Sequence, residues 1–162
     1  MKEELLKIAR YNLWANSRAC DFLQRLTEEQ INKEIQSSFP SVKQTLYHTW
    51  GAQGLWLQRL HGYSPSFLPD KDFTGSFKEA TDALLHTSEE LIEFVESANE
   101  DLLGSAFTYH TIDGKEFKSN ISDVIRHIVN HSTFHRGQLI TLLRQLGYTR
   151  LFPTDYIAWC RG

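Results

Sequence analysis

Three histidines follow one another at intervals of four residues near the C-terminal end of the chain: His127, His131 and His135. Residues four apart on a helix lie one turn apart on the same face, so neutral imidazoles at this spacing can chelate one metal ion. The zinc-protease motif also needs a Glu directly after its first histidine as the general base, and no Glu follows here. The pattern therefore indicates a metal site of another kind.

The spacing does not allow all three of these histidines to bind one ion. The axial rise between His127 and His135 is roughly 12 Å, so we expect one adjacent pair to bind, with a third ligand from another helix. His48 is the natural candidate, because it is the only other histidine in the middle of a long apolar helix. The remaining histidines fall near helix surfaces or on a hairpin: His61, His86 and His110. A helical wheel predicts that His127, His131 and His135 all point into the core.

Two interpretations of these histidines stay open at this point. They are either core side chains hydrogen-bonded to their surroundings, or ligands of an ion with open positions for water and substrate. Such an ion lowers the pKa of a bound water or thiol. No acid adjoins the histidines in sequence to act as a general base, which leaves Asp155 and Glu116 as candidates to approach in space. Gln138 is expected to contact one of the histidine ligands or the substrate, or else to be a buried polar residue bonded to the backbone.

Apolar residues at intervals of three and four predict the elements that position these side chains. The long helices are expected at 4–26, 41–60, 76–98 and 120–146, with a short helical turn ending near Ile35. Asp113-Gly114 between alternating segments predicts a β-hairpin at 106–118. The loop at 63–75 is long enough to carry the chain across the molecule, which argues against a simple up-down-up-down order.

These elements predict an all-α fold: a four-helix bundle of non-standard connection order. A small β-hairpin is inserted between the third and fourth long helices, and the bundle forms one domain over 1–162. Two further expectations concern the fourth long helix. Arg136 lies about 100° from His135 around the helix, so we expect it to form an ion pair in the bundle or a dimer. The second apolar face predicts deep burial or a homodimer interface; its residues are Ile125, Val129, Ile140 and Leu143.

Composition excludes several classes of protein. With 17 Lys and Arg against 20 Asp and Glu, the net charge is −3, unlike the basic footprint of a nucleic-acid-binding protein. No apolar run approaches the ~20 residues that span a bilayer, and the N-terminus does not have the pattern of a signal peptide. Cys20 and Cys160 are too few for a disulfide framework. A cytoplasmic protein with no nucleic-acid or membrane partner is therefore expected.

The histidine-rich segment also carries a resemblance to a known family. His131-Ser-Thr-Phe-His135-Arg-Gly-Gln138, preceded by His127-Ile-Val-Asn130, resembles the signature of the DinB/YfiT-like family. This is the damage-inducible bacillary family, not the polymerase that shares the name. Further matches follow in the right order along almost the whole chain: Tyr11 to Asn16, Leu46 to Thr49, and Thr154 to Tyr156.

The resemblance implies a four-helix bundle of non-standard connection order that is often a homodimer. It implies a metal held by one histidine from the second long helix and two from the fourth. Carried over position by position, these are His48, His131 and His135. His127 matches a frequent family histidine that is not a ligand, and we expect it to contact a ligand or to line the pocket. The metal in relatives is commonly nickel or zinc, and manganese also occurs.

Characterised relatives include thiol-dependent S-transferases and a maleylpyruvate isomerase that uses low-molecular-weight thiols. The resemblance therefore implies a metal-dependent enzyme that activates a thiol or water against a small-molecule substrate, similar to a thiol S-transferase or a hydrolase. The second hypothesis is a metal-binding or stress-response protein without turnover. A structural bundle whose histidines are core polar groups is the third.

Overall fold

Four long helices make up most of the molecule. The structure is a computed structural model, and it describes residues 1–162. In chain order the elements are α1 (Lys2–Leu23), α2 (Glu28–Asn32), α3 (Val42–Leu60), α4 (Phe77–Ser97), α5 (Glu100–Gly104), β1 (Ala106–His110), β2 (Glu116–Asn120), α6 (Ile121–Gln145) and α7 (Tyr156–Cys160). The long helices α1, α3, α4 and α6 confirm the predicted bundle. The short helices α5 and α7 were not predicted, because each has too few residues for its apolar period to show.

Local capping chemistry fixes where two of the long helices begin. The Ser41 hydroxyl accepts the backbone N–H of Gln44 at the start of α3, and Ser76 forms a capping box with Glu79 at the start of α4. Asn120, the first residue of the expected helix 120–146, precedes α6, and its side chain makes no capping hydrogen bond. That residue is still part of strand β2, so α6 follows the strand directly.

The order of the helices around the bundle is not the simple sequential one. Helix α1 packs against α4 and α6, and α3 packs against the same two helices, so α1 and α3 face each other across the diagonal. The N-terminal half of α1 and the C-terminal half of α3 contribute to the same apolar cluster, so these two helices run in opposite directions. The C-terminal half of α4 joins the same cluster, so α3 and α4 run in the same direction. The bundle therefore runs up, down, down, up, which confirms the predicted non-standard connection order.

The long loop between α3 and α4 is explained by this order, because two parallel neighbouring helices need a connection that returns along the bundle. Residues of the loop follow α3 backwards: Pro69 lies beside Gly54, and Phe73 packs its ring 5.5 Å from that of Tyr47. The loop thus carries the chain from one end of the molecule to the other, as predicted. It also covers the face of α3 on which His48 lies.

Two apolar clusters fill the bundle, one towards each end. The first includes Leu5, Leu57 and Ile125, and the second includes Leu23, Leu46 and Leu142. Ile125, Val129 and Leu143 of the second apolar face of α6 are buried within the single chain, so that face provides no argument for a dimer. None of the helices combines the length and the apolar character that a membrane crossing requires.

The hairpin differs in detail from the prediction. Strands β1 and β2 pair antiparallel with Ala106 opposite Asn120 and His110 opposite Glu116, which leaves a connection at 111–115 instead of a two-residue turn. The C-terminal tail packs against α1, where the rings of Tyr156 and Trp159 lie 5.1 Å and 6.0 Å from that of Tyr11.

Candidate metal centre

A layer of polar side chains separates the two apolar clusters in the middle of the bundle. Its largest member is Arg136, which is 1% exposed and donates hydrogen bonds to Asn12 Oδ1 at 2.8 Å and Asn16 Oδ1 at 2.7 Å. It also donates to Thr133 Oγ1 at 2.8 Å, and its guanidinium lies 5.5 Å from the centre of the Tyr11 ring. The expected ion pair is therefore wrong, since neutral oxygens take the place of a carboxylate.

The polar layer connects the long helices at the level of the histidines. Gln53 of α3 accepts hydrogen bonds from Asn12 Nδ2 at 3.0 Å and from the Ser132 hydroxyl at 3.3 Å. Its own amide donates to Ser88 Oγ of α4 at 3.0 Å. Because Ser132 follows His131 directly in α6, this network fixes the part of α6 that carries the histidines.

Three imidazoles converge beside this layer, one from α3 and two from α6. His48 Nε2 and His135 Nε2 lie 3.2 Å and 3.0 Å from His131 Nε2, and the ligand atoms of all three lie within 4.8 Å of one another. Nitrogen ligands bind zinc at about 2.0–2.1 Å, and two such ligands on one ion lie about 3 Å apart. The residues therefore fit a single bound divalent ion.

Two outer contacts orient these rings. Gln138 Oε1 accepts a hydrogen bond from His135 Nδ1 at 2.7 Å, and because an amide oxygen carries no hydrogen, the ring proton lies on Nδ1. His135 Nε2 then presents its lone pair to the other two imidazoles. The ring of Phe39 stacks on that of His48 with centroids 4.3 Å apart. Gln138 thus contacts a candidate ligand, one of the two roles expected for it.

The other residues singled out by the sequence lie elsewhere. His127 is exposed, and its ring packs at 5.2 Å against that of Trp56. The expectation that it points into the core is wrong, because its ring lies at the outer edge of the contact between α3 and α6, against Trp56. Glu116 lies on the hairpin 3.6 Å from His110, and Asp155 precedes α7. Neither acid belongs to the histidine cluster.

Burial keeps the three imidazoles uncharged. The pKa of His48 falls from 6.5 to about 4 through burial and the nearby His135. The pKa of His131 falls to about 3 through burial and the neighbouring histidines. Burial also lowers the pKa of His135, although its hydrogen bond to Gln138 opposes the shift. At neutral pH all three Nε2 atoms are therefore available as ligands.

These pKa values predict how the metal-free protein responds to acid. Because the folded-state values lie below the unfolded value of 6.5, the unfolded chain takes up protons first as the pH falls. Stability is therefore retained above pH 6.5 and lost as the pH falls towards 4. We expect a loss of roughly 1–2 kcal/mol between pH 7 and pH 5 after allowance for solvent screening of half-buried groups.

Thermal unfolding in the presence of a chelator measures this pH effect. The His48→Ala variant is the control, and its melting temperature should depend less on pH over the same range. A wild-type melting temperature that is constant from pH 7 to pH 5 would contradict the expectation.

A cavity of about 470 Å³ opens directly beside His48. It is bounded by the N-terminal half of α3, the segment before it and the loop after it; the lining residues include Asn32, Phe39, Lys43, Tyr47 and Asp70. Sequence reasoning missed Asp70, which lies in a loop without periodicity. The one signal for it was Gly51, a glycine inside a helix three residues after His48.

This fold and site define a class of protein: an up-down-down-up four-helix bundle in which two neighbouring antiparallel helices bring three histidines together. Comparison with known proteins identifies the family. The sequence matches the DinB family over residues 1–159, so the chain belongs to that family. The resemblance found in the sequence is thereby confirmed.

Individual relatives agree with this assignment. Protein DinB of Bacillus subtilis (strain 168) is 31% identical over 163 residues, covering 96% of this chain and 93% of that protein. Among solved structures, YfiT from Bacillus subtilis matches with a TM-score of 0.72 at 13% identity, over 92% of this chain and 91% of that one. YfiT is described as a probable metal-dependent hydrolase with an unusual four-helix bundle topology.

A DinB-like protein from Bacillus subtilis also matches, with a TM-score of 0.68 at 14% identity, over 91% of this chain and 97% of that one. At these identities the two solved structures establish the shared fold.

Proposed function

We propose that this protein is a divalent-metal-dependent enzyme in which His48, His131 and His135 hold the ion. The observation that carries the proposal is the convergence of their ligand atoms to within 4.8 Å beside an open cavity. When bound, the ion would lower the pKa of a thiol or water in its open coordination positions. Imidazole ligands suit nickel and zinc, and manganese is a third candidate on the family resemblance alone.

The surrounding residues have distinct parts in this proposal. Gln138 fixes the tautomer of His135 so that Nε2 faces the ion. His127 lies at the rim, 5.8 Å from His131 between ring centres, and is not a ligand. The Arg136 network holds α6 in place against α1. A small-molecule substrate enters through the cavity beside His48.

Two reactions fit this arrangement: transfer of a low-molecular-weight thiol to an electrophile, and hydrolysis. The family resemblance supports the first, and the description of YfiT as a probable metal-dependent hydrolase supports the second. We further propose a cytoplasmic homodimer without nucleic-acid or membrane partners. The net charge of −3 argues against a nucleic-acid partner, and the dimer rests on the family resemblance alone.

The alternative is a metal-binding or stress-response protein without turnover. One observation favours it: the cluster of candidate ligands contains histidines alone, with no Asp or Glu among them to move a proton. This alternative predicts tight stoichiometric metal and no reaction with any thiol and electrophile.

Metal content and turnover, measured on the same untagged protein, test the proposal. A His-tag must be absent because it would itself recruit nickel. We expect close to one equivalent of nickel or zinc by elemental analysis. The loaded protein should catalyse reaction of 2-mercaptoethanol with 1-chloro-2,4-dinitrobenzene or hydrolysis of p-nitrophenyl acetate, and a chelator should stop it. Bound metal without either reaction supports the alternative, and no metal even after addition of zinc or nickel overturns both.

A further inference from the structure

The loop between α3 and α4 places one acid next to the candidate metal centre. Asp70 packs its carboxylate onto α3 at Gly51, where a Cβ atom would overlap Asp70 Oδ1. His48 and Gly51 are three residues apart on α3, so they are neighbours on the helix surface about 5–6 Å apart. The absent side chain at position 51 thus makes room for the carboxylate one turn from His48.

Apart from a hydrogen bond to its own backbone, the Asp70 carboxylate has no partner. Its Oδ1 atom is buried and accepts no hydrogen bond, and no Lys, Arg or His nitrogen lies within salt-bridge distance. Burial raises the pKa of the Asp70 carboxyl above its usual value. Because buried polar atoms in proteins are almost always hydrogen-bonded, an orphaned carboxylate oxygen calls for a role other than stability.

Asp70 and His48 line the same cavity of about 470 Å³. Two other titratable side chains line it, Lys43 and Tyr47. Burial and the charge of Glu79 raise the pKa of Tyr47, which leaves its hydroxyl protonated at neutral pH. Asp70 is the only Asp or Glu of the cavity wall. It is therefore the one group there that can take up a proton at neutral pH, apart from His48 itself.

We propose that Asp70 is a catalytic residue of the proposed enzyme, the acceptor of the proton that a small thiol loses when it binds at the three histidines. The inference rests on the proposed function. Of the two reactions proposed there, it concerns the transfer of a small thiol to an electrophile. The S–H bond breaks, its electron pair stays on sulfur, and an O–H bond forms at the carboxylate. The sulfur then bonds to the electrophilic carbon of the second substrate, and the bond from that carbon to its leaving group breaks. Asp70 passes the proton to the displaced leaving group.

Asp70 suits this step for a physical reason. A free thiol has a pKa near 8.5 and is protonated at neutral pH, whereas the metal ligand is the thiolate. The proton must therefore leave as the thiol binds. A carboxylate that burial has made more basic, one turn from His48, is placed to receive it.

The substitution Asp70→Asn tests the inference, with Asp72→Asn as the matched control. Asp72 lies in the same loop, is exposed and does not line the cavity, so both variants lose one negative charge. We expect both to bind as much zinc as the wild type. We also expect Asp70→Asn to melt no lower than the wild type, because the variant removes an unpaired buried charge. A purely structural acid would lower the melting temperature when replaced.

Proton release gives the decisive measurement. Calorimetric titration of 2-mercaptoethanol into the zinc-loaded protein, in two buffers of different ionisation enthalpy, counts the protons released per thiol bound. We expect Asp70→Asn to release up to about one proton more than the wild type and Asp72→Asn. Equal release by all three proteins overturns the inference, and so does a zinc-loaded wild type that binds no thiol.

The two levels of the proposal fail differently. A wild-type protein that takes up no zinc contradicts the proposed function itself. Zinc uptake with unchanged proton release in Asp70→Asn contradicts only the role of Asp70.

Discussion

Replacement of His131 by alanine is expected to abolish the stabilisation of the protein by metal. His131 Nε2 lies between the other two candidate ligand atoms, at 3.2 Å from His48 Nε2 and 3.0 Å from His135 Nε2. Without it, only two of the three candidate ligands remain, and the atom that lies close to both of them is lost. Loss of an outer contact alone costs about 10–100-fold in metal affinity, so loss of a ligand should cost more than 100-fold.

Thermal unfolding with and without zinc measures this loss. A ligand at 100 times its dissociation constant stabilises the folded state by about 2.7 kcal/mol, and this shift should vanish in His131→Ala. The matched control is His127→Ala, the same substitution one turn earlier on α6 at an exposed position. The control should keep the full zinc-induced shift. If His131→Ala keeps it as well, the three-histidine site is wrong.

Replacement of Arg136 by alanine is expected to cost the largest stability of any single change in the bundle centre, about 3–5 kcal/mol. The change leaves a cavity where a side chain only 1% exposed had been. It also leaves Asn12 Oδ1 and Asn16 Oδ1, both on fully buried residues, without the donor they have now. Domains of this size have only about 5–15 kcal/mol of stability in total.

Urea denaturation of the metal-free protein measures this cost without any contribution from metal binding. The control is Arg144→Ala, which removes an exposed arginine near the end of the same helix. Its loss should be no more than about 1 kcal/mol, the value of a charge near a helix terminus. An Arg136→Ala variant within 1 kcal/mol of the wild type would show that the network contributes little.

The features that sequence could predict are those set by neighbouring residues. Ser41 and Ser76 begin their helices through bonds to backbone groups three residues away, and apolar periodicity gave the four long helices. The convergence of His48 with His131 and His135 could be proposed because few histidines lie inside long helices. The choice of this set over one that includes His127 came from the family resemblance.

The features that sequence missed depend on contacts between distant segments. Arg136 donates hydrogen bonds to two asparagine oxygens of α1, more than 100 residues away in the sequence. No residue near Arg136 in the sequence indicates that its hydrogen-bond acceptors are uncharged. His127 has the wheel angle of a core residue, but its exposure depends on the position of Trp56, a residue of α3 that is distant in the sequence. Asp70 reaches α3 through a loop whose path follows from two parallel helices, a property of the whole fold.

The separation of the candidate ligands along the chain has a consequence for biosynthesis. His48 and His131 are 83 residues apart, on helices joined through α4 and the hairpin. While the chain is still being made, a ribosome-bound product that ends before α6 contains only one of the three histidines. Under the proposed function, stable ion uptake then awaits release of α6 and its docking against α3, which makes loading a late event in maturation. An incompletely synthesised chain would not compete for the cell's metal through this site.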